Sequence, residues 1–301
     1  MDGLAAALVG GEGATVTGSS GVAATGLRFY KLSGSGNDFM FFDARAGLPE
    51  LATDATAVAA LCARGEGVGA DGVVFLDAPE AGIVRIVYLN SDGSRAALCG
   101  NATLCAVRLA AHLGLASPGN SFVIRTDAGD LRAHMGATGT PGFELAPVDA
   151  VVPDASDAPS AGEGPGSETR VGYALAGVPH LVVRVADVTG VDVLAQGRRL
   201  RPPSPERPAG ANVNFVSPGA DGAWHMRTFE RGVEGETLAC GTGAVACAMV
   251  LRAWGEAGDV VQLVTRSGRP VTVTQSPNPL RGPTLCGEAR LVYEGTLQEW
   301  R

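Results

Sequence analysis

From Leu27 onward, short apolar runs alternate with glycine-containing breaks, the pattern of half-buried strands. The runs at 39–42, 73–76, 83–89, 181–185, 260–264 and 271–274 are predicted as strands. Two stretches depart from this rhythm with helical spacing. One follows Cys99 and carries Leu104, Cys105, Val107, Leu109 and Ala110 to a stop near Gly114. The other follows Cys240 and carries Val245, Met249, Val250, Leu251 and Trp254 to Gly255. A glycine just past the last apolar position is a common helix terminator. The second half of the chain therefore repeats the first in content, several strands around one prominent helix, and a Cys-Gly pair opens each helix. The two cysteines suit one per domain, meeting across a cleft.

Two segments carry no apolar period. Residues 1–26 consist largely of Gly, Ala, Ser and Thr and are predicted to be a mobile extension outside the fold. Residues 147–169 are rich in Pro, Gly, Asp and Ser and are predicted to be a loop.

Composition narrows the function. The 301 residues, 46% hydrophobic, supply a substantial core and exclude disorder throughout. With 31 acidic against 23 basic residues and a net charge of −8, a broad electrostatic grip on nucleic acid or anionic lipid is disfavoured, and a small ligand held by loops fits better. Six cysteines without a Cys-x-x-Cys pair disfavour a disulfide framework and structural zinc. Asp2 stands where a secretory signal needs a basic region, and no apolar run approaches the ~20 residues of a membrane span. The reading is a soluble cytoplasmic protein with reduced thiols.

A cysteine at a helix start lies beside unpaired backbone N–H groups and the positive end of the helix dipole, which favour thiolate. Gly100 and Gly241 let the same amides approach a ligand and hold a carboxylate. A lone cysteine is more often a small buried hydrophobe, the reading taken for Cys62, Cys105, Cys247 and Cys286. Two in matched contexts point to stereoinversion, in which a proton leaves one face of a carbon and another arrives on the opposite face.

The surroundings of these cysteines carry a resemblance. Lys31-Leu32-Ser33-Gly34-Ser35-Gly36-Asn37-Asp38-Phe39, Gly67-Val68-Gly69-Ala70-Asp71-Gly72, Asn90-Ser91-Asp92-Gly93-Ser94, Cys99-Gly100-Asn101, Gly210-Ala211-Asn212-Val213-Asn214-Phe215 and Glu230-Arg231-Gly232 through Glu236-Thr237-Leu238-Ala239-Cys240-Gly241-Thr242-Gly243 occur in order. Together they resemble the diaminopimelate epimerase family over roughly Leu27 to the C-terminus. The resemblance implies a pyridoxal-independent isomerase that interconverts LL- and meso-diaminopimelate for lysine and peptidoglycan synthesis, with no metal or organic cofactor and commonly as a homodimer. It implies an α/β (α+β) fold of two pseudo-symmetric domains, each a curled mixed sheet or barrel around a central helix. Residues 27–136 would form the domain carrying Cys99, joined by 288–301, and residues 137–287 the domain carrying Cys240.

By the same resemblance Cys99 and Cys240 are the acid/base pair. Asn37 and Asn101, with the backbone at Gly100, Gly241 and Thr242, match positions that hold the reacting amino-acid end. Asn90, Asn212 and Arg231 match the distal site, where a guanidinium suits a carboxylate. Glu230 and His180 match polar residues flanking the reacting centre. Judged alone, the asparagine motifs are ordinary turn formers, His180 reads as a hydrogen-bonded structural histidine, and Glu230-Arg231 as a surface ion pair.

The chain departs from the family pattern in three places. Val178 replaces an asparagine in Gly177-Val178-Pro179-His180, Leu104 replaces an arginine after Cys99, and the segment from Glu230 to Thr237 is one residue longer. The alternatives are a racemase or epimerase of another amino acid on the same fold, which Val178 favours and Asn90, Asn212 and Arg231 oppose, and a binding protein that holds a zwitterion without turning it over. Proline and hydroxyproline racemases share the cysteine pair but differ around Glu236-Thr237-Leu238-Ala239-Cys240, and phenazine-biosynthesis isomerases lack the pair.

Overall fold

The structure is a computed structural model that describes residues 26–117, 119–155, 168–205 and 207–298. The extension expected at 1–26 lies outside the described residues except for Gly26, as does 156–167 of the expected loop.

The first half comprises β1 (Leu27–Gly34), β2 (Asn37–Asp43), α1 (Ala55–Cys62), β3 (Gly72–Glu80), β4 (Ile83–Asn90), β5 (Arg95–Ala96), α2 (Gly100–His112), β6 (Ser121–Thr126), β7 (Gly129–Met135) and β8 (Pro141–Glu144). The second comprises β9 (Ala150–Val152), β10 (Glu168–Ala176), β11 (Val178–Val185), α3 (Val193–Leu200), β12 (Asn212–Pro218), β13 (Trp224–Glu230), β14 (Gly235–Thr237), α4 (Gly241–Ala253), β15 (Val260–Val264), β16 (Pro270–Thr274) and β17 (Thr284–Gly287), followed by β18 (Ala289–Leu297).

The two halves repeat one pairing scheme. β1–β2 and β3–β4 are antiparallel, β2–β3 and β4–β6 parallel, and β6–β7–β8 a meander. β10–β11 and β12–β13 are likewise antiparallel, β11–β12 and β13–β15 parallel, and β15–β16–β17 a meander. β8 pairs with β17 and joins the halves into one sheet of 18 strands. β18 returns to pair with β1, as β9 pairs with β10.

In each half the sheet curls around a long helix that is apolar almost all round, and such a helix must be enclosed. In α2, residues 101–107, 109 and 110 are buried, and the helix touches β1, β4, β6, β7, β8 and β18. α4 is enclosed in the same way by β9, β10, β11, β12 and β16. The short helices cover the outer faces. α1 joins a cluster containing Met40, Phe42 and Phe75, and α3 packs on β12 and β13, where Gly197 lies against the Phe229 ring. Asp54 and Asp192 cap them, accepting from the amides of Ala57 and Ala195.

The sequence reading did not anticipate α1 or α3, and it placed β9 inside a loop. Val151 and Val152 instead pair with Ala174 and Tyr173, covering an edge of β10. Among the described residues, no helix is long and apolar enough to cross a membrane.

Candidate active site

Cys99 and Cys240 are the N-cap residues of α2 and α4, in nearly the same extended conformation: φ −133°, ψ 115° and φ −131°, ψ 112°. The helix starts face each other through Gly100 and Gly241. A Cβ on Gly100 would lie 3.4 Å from the Gly241 Cα, and one on Gly241 only 3.1 Å from the Leu285 side chain. Glycine at both positions thus lets two helix termini from different halves meet. Beside this contact lies a cavity of about 730 Å³ whose wall includes both cysteines, both glycines, Asn37, Asn90, Asn101, Glu230, Arg231 and Thr242. His180, Asn212 and Val178 are outside the wall.

A polar chain crosses between the halves. The Arg64 guanidinium donates to Asp71 Oδ1 at 2.8 Å, and Asp71 Oδ2 accepts from Asn37 Nδ2 at 2.8 Å. Asn37 Oδ1 accepts from Asn101 Nδ2 at 2.7 Å, and the same amide donates to the Ala239 carbonyl at 3.2 Å. Asn101 Oδ1 is left buried without a hydrogen-bond partner. A buried, unpaired acceptor is costly, and here it suits a ligand cation.

On the other side, Asn212 Oδ1 accepts from the Arg231 amide at 2.8 Å, so Asn212 shapes the site by holding the Arg231 backbone. The Arg231 guanidinium donates to the Ala209 carbonyl at 3.3 Å, and among the described residues it has no carboxylate partner. The longer turn after β13 leaves Arg231 in the wall, with Gly232 at φ 92° and Glu234 at φ 56° absorbing the reversal. Asn90 donates to Ser94 Oγ at 2.9 Å.

The two sulfurs have different neighbours. Cys99 is hydrogen-bonded by the Tyr88 hydroxyl. Cys240 Sγ accepts from the Gly243 amide at 3.4 Å, lies 3.6 Å from Thr242 Oγ1, and meets Glu230 on another side. Thr242 Oγ1 is in turn 3.1 Å from His180 Nε2.

Protonation corrects the thiolate expectation. Burial pushes the Cys99 thiol up to about 11, with the Glu230 carboxylate adding to the rise and the amides of Ala102 and Asn101 and the Tyr88 hydroxyl opposing it. Burial also drives Cys240 well above its ordinary value, reinforced by Glu230. The helix-start amides act in the expected direction, but desolvation outweighs them. Burial raises Glu230 as well, against hydrogen bonds from Thr237 and Cys240. His180 is fully buried and pushed down to about 3, first by burial and then by Arg231, so it is neutral at physiological pH.

Sequence reading missed Tyr88 and Asp71. Tyr88 was recoverable, because strand alternation puts it on the same face of β4 as Ile86 and Asn90, toward α2.

Comparison with known proteins fits this geometry. The family model described as diaminopimelate epimerase matches residues 29–148 and 172–292. The chain belongs to the diaminopimelate epimerase family. It is 46% identical to the diaminopimelate epimerase of Gemmatimonas aurantiaca over 281 residues, 90% of this chain and 99% of that one. Against the Aquifex aeolicus diaminopimelate epimerase it is 38% identical, covering 91% and 98%. Among solved structures, a phenazine biosynthesis protein of the PhzF family from Bacillus anthracis superposes with a TM-score of 0.66 at 17% identity, covering 90% of this chain and 98% of that one. A hydroxyproline epimerase from Agrobacterium vitis superposes at 0.61 and 19% identity, covering 91% and 93%. Both share the fold. The two matched stretches cover β1 to β8 and β10 into β18.

Proposed function

We propose that this chain interconverts LL- and meso-diaminopimelate by proton transfer between the α-carbon and two cysteine sulfurs, without a metal or organic cofactor. The observation that carries this reading is the presence of Cys99 and Cys240, one from each half and in matching N-cap conformations, in the wall of one cavity. A thiolate on one sulfur removes the α-proton, the thiol on the other delivers a proton to the opposite face, and the roles exchange in the reverse direction. Burial holds both sulfurs toward the thiol form. A bound α-ammonium beside them favours the thiolate, since a nearby opposite charge stabilises the ionised form.

The helix-start amides around Gly100 and Gly241 suit the reacting carboxylate and the charge that develops on it. Asn101 Oδ1 suits the ammonium group. Arg231, without a carboxylate among the described residues, suits the distal carboxylate, with Asn90 beside it in the wall. The reading places the enzyme in the cytoplasm, in lysine and peptidoglycan precursor synthesis, and as a homodimer. Among the described residues β18 pairs only with β1, and it exposes Val292 and Tyr293, which suits contact with a second copy.

Proton NMR of the reduced protein with LL-diaminopimelate in deuterated water tests the reading. The expected result is loss of the α-proton signal with formation of the meso isomer. Exchange seen only with another amino acid would transfer the mechanism to a different substrate, and no exchange with any amino acid would overturn it.

A further inference from the structure

Behind Cys240 lies a buried polar cluster that the two-sulfur reading does not use. Asn214 is fully buried on β12, with Nδ2 3.0 Å from the Leu181 carbonyl and 3.2 Å from His180 Nδ1. Its Oδ1 accepts from Thr228 Oγ1 at 3.0 Å. The Leu181 carbonyl can only accept, so it fixes which end of the Asn214 amide faces the histidine. The same amide therefore donates to His180 Nδ1, and a neutral histidine whose Nδ1 accepts carries its proton on Nε2. Nε2 then donates to Thr242 Oγ1, which is left to donate its own proton to Cys240 Sγ. The Gly243 amide supplies a second donor to that sulfur, and Glu230 faces it from the other side.

The approach of Asn214 is itself built into the backbone. A Cβ on Gly243 would come within 2.4 Å of Asn214 Oδ1, so only glycine at the third position of α4 admits the amide there.

We propose that Asn214 is a positioning residue of the reaction: by fixing the His180 tautomer it orients the Thr242 hydroxyl as a permanent donor to the Cys240 sulfur. The donor favours the thiolate each time Cys240 takes the base role or has just released its proton. The inference deepens the epimerase reading and rests on it, since it assigns a role within that reaction, but its test needs no substrate and so fails or succeeds separately.

Nitrogen-15 NMR of labelled histidine, with His180 assigned by loss of its signals in His180→Gln, reads the tautomer directly. The expected result is Nε2–H in the wild type and in Thr242→Val. Asn214→Asp, whose carboxylate accepts from the ring, converts it to Nδ1–H. In parallel, the iodoacetamide alkylation rates of Cys240 and Cys99 are followed at fixed pH by peptide mass spectrometry. Thr242→Val slows alkylation of Cys240 roughly three- to tenfold, the scale of one lost hydrogen bond, and leaves Cys99 unchanged. The Asn214→Asp, Thr242→Val double variant is no slower than Thr242→Val alone. A wild-type His180 protonated on Nδ1 overturns the proposal, and this readout stands even if Asn214→Asp does not fold. Equal slowing at Cys99, or a slower double variant, would assign the effect to general structure or to added charge and overturn it as well.

Discussion

Asn101→Asp is a nearly isosteric change at the point where the halves meet, and the structure says what it does. Asn101 is buried, and its Nδ2 donates to Asn37 Oδ1 at 2.7 Å and to the Ala239 carbonyl at 3.2 Å. A carboxylate keeps the shape but donates to neither, leaving two acceptors facing an added charge. An unsatisfied buried polar group costs about 1–3 kcal/mol, so the two together predict a loss of roughly 2–6 kcal/mol. The new carboxyl relieves part of this by staying protonated, because burial and two facing oxygens raise its folded-state pKa. A group raised in the folded state stabilises below its unfolded value, near 3.9 for aspartate, and that contribution is lost as pH rises through the folded value. The deficit relative to wild type should therefore be larger at pH 8 than at pH 5. Urea unfolding followed by fluorescence of the three tryptophans measures it. A variant as stable as wild type, or a deficit equal at the two pH values, would refute the reasoning, because Asn101 would then not bridge the halves through its amide.

Three further outcomes follow from the site. Cys99→Ala and Cys240→Ala each abolish inversion while retaining wild-type circular dichroism, since each removes one of two obligatory proton carriers; full epimerisation by either would remove the two-sulfur mechanism. Arg231→Lys raises KM for diaminopimelate by tenfold or more with little change in kcat, because an ammonium cannot reproduce the two parallel hydrogen bonds of a guanidinium; an unchanged KM would take Arg231 out of the distal site. Diamide inactivates the empty enzyme and dithiothreitol restores it, the two thiols losing two electrons and two protons to the oxidant as a disulfide forms, because the Gly100–Gly241 contact draws the two helix starts together. Peptide mapping that finds both thiols free in the inactivated protein would exclude that link.

Much of this was legible in the chain because it rests on periodicity. The alternating runs became strands, and the helices after Cys99 and Cys240 stop where Gly114 and Gly255 take positive φ values of 73° and 76°. α1 and α3 were harder to see because eight residues hold too few turns for a clear period. They form where the outer face of a curled sheet needs cover, and the signals that remained were their caps, Asp54 and Asp192. β9 was hidden because three residues beside proline read as loop until β10 offers them an edge. The thiol protonation was misjudged for a reason of magnitude. A helix terminus contributes about 0.3–1 kcal/mol at an exposed site, whereas enclosing a sulfur shifts its pKa by more than that, and enclosure is a property of the assembled fold. Asn214 illustrates the same limit, since its partners at 180, 181 and 228 come together only through strand pairing.

The pseudo-symmetry explains why the backbone at the two sulfurs matches while their surroundings do not. In the proposed reaction a carbon approached from two faces needs two groups of equal reach, and the matching N-cap conformations of Cys99 and Cys240 suit that need. The substrate has no such symmetry: the α-carbon carries a carboxylate, an ammonium and a long side chain, and each must find a fixed place while the proton moves. The differences between the halves fall where that asymmetry requires them. Asn37 and Asn101 lie on one side, Glu230 and Arg231 on the other, Cys99 is attended by Tyr88, and Cys240 by Thr242 and Gly243. Strict symmetry would place equivalent partners on both sides and leave the orientation of the ammonium and carboxylate undetermined. In the proposed reaction, the scaffold is therefore repeated where proton transfer is symmetric, at the two sulfurs, and differs among the side chains proposed to hold the ligand.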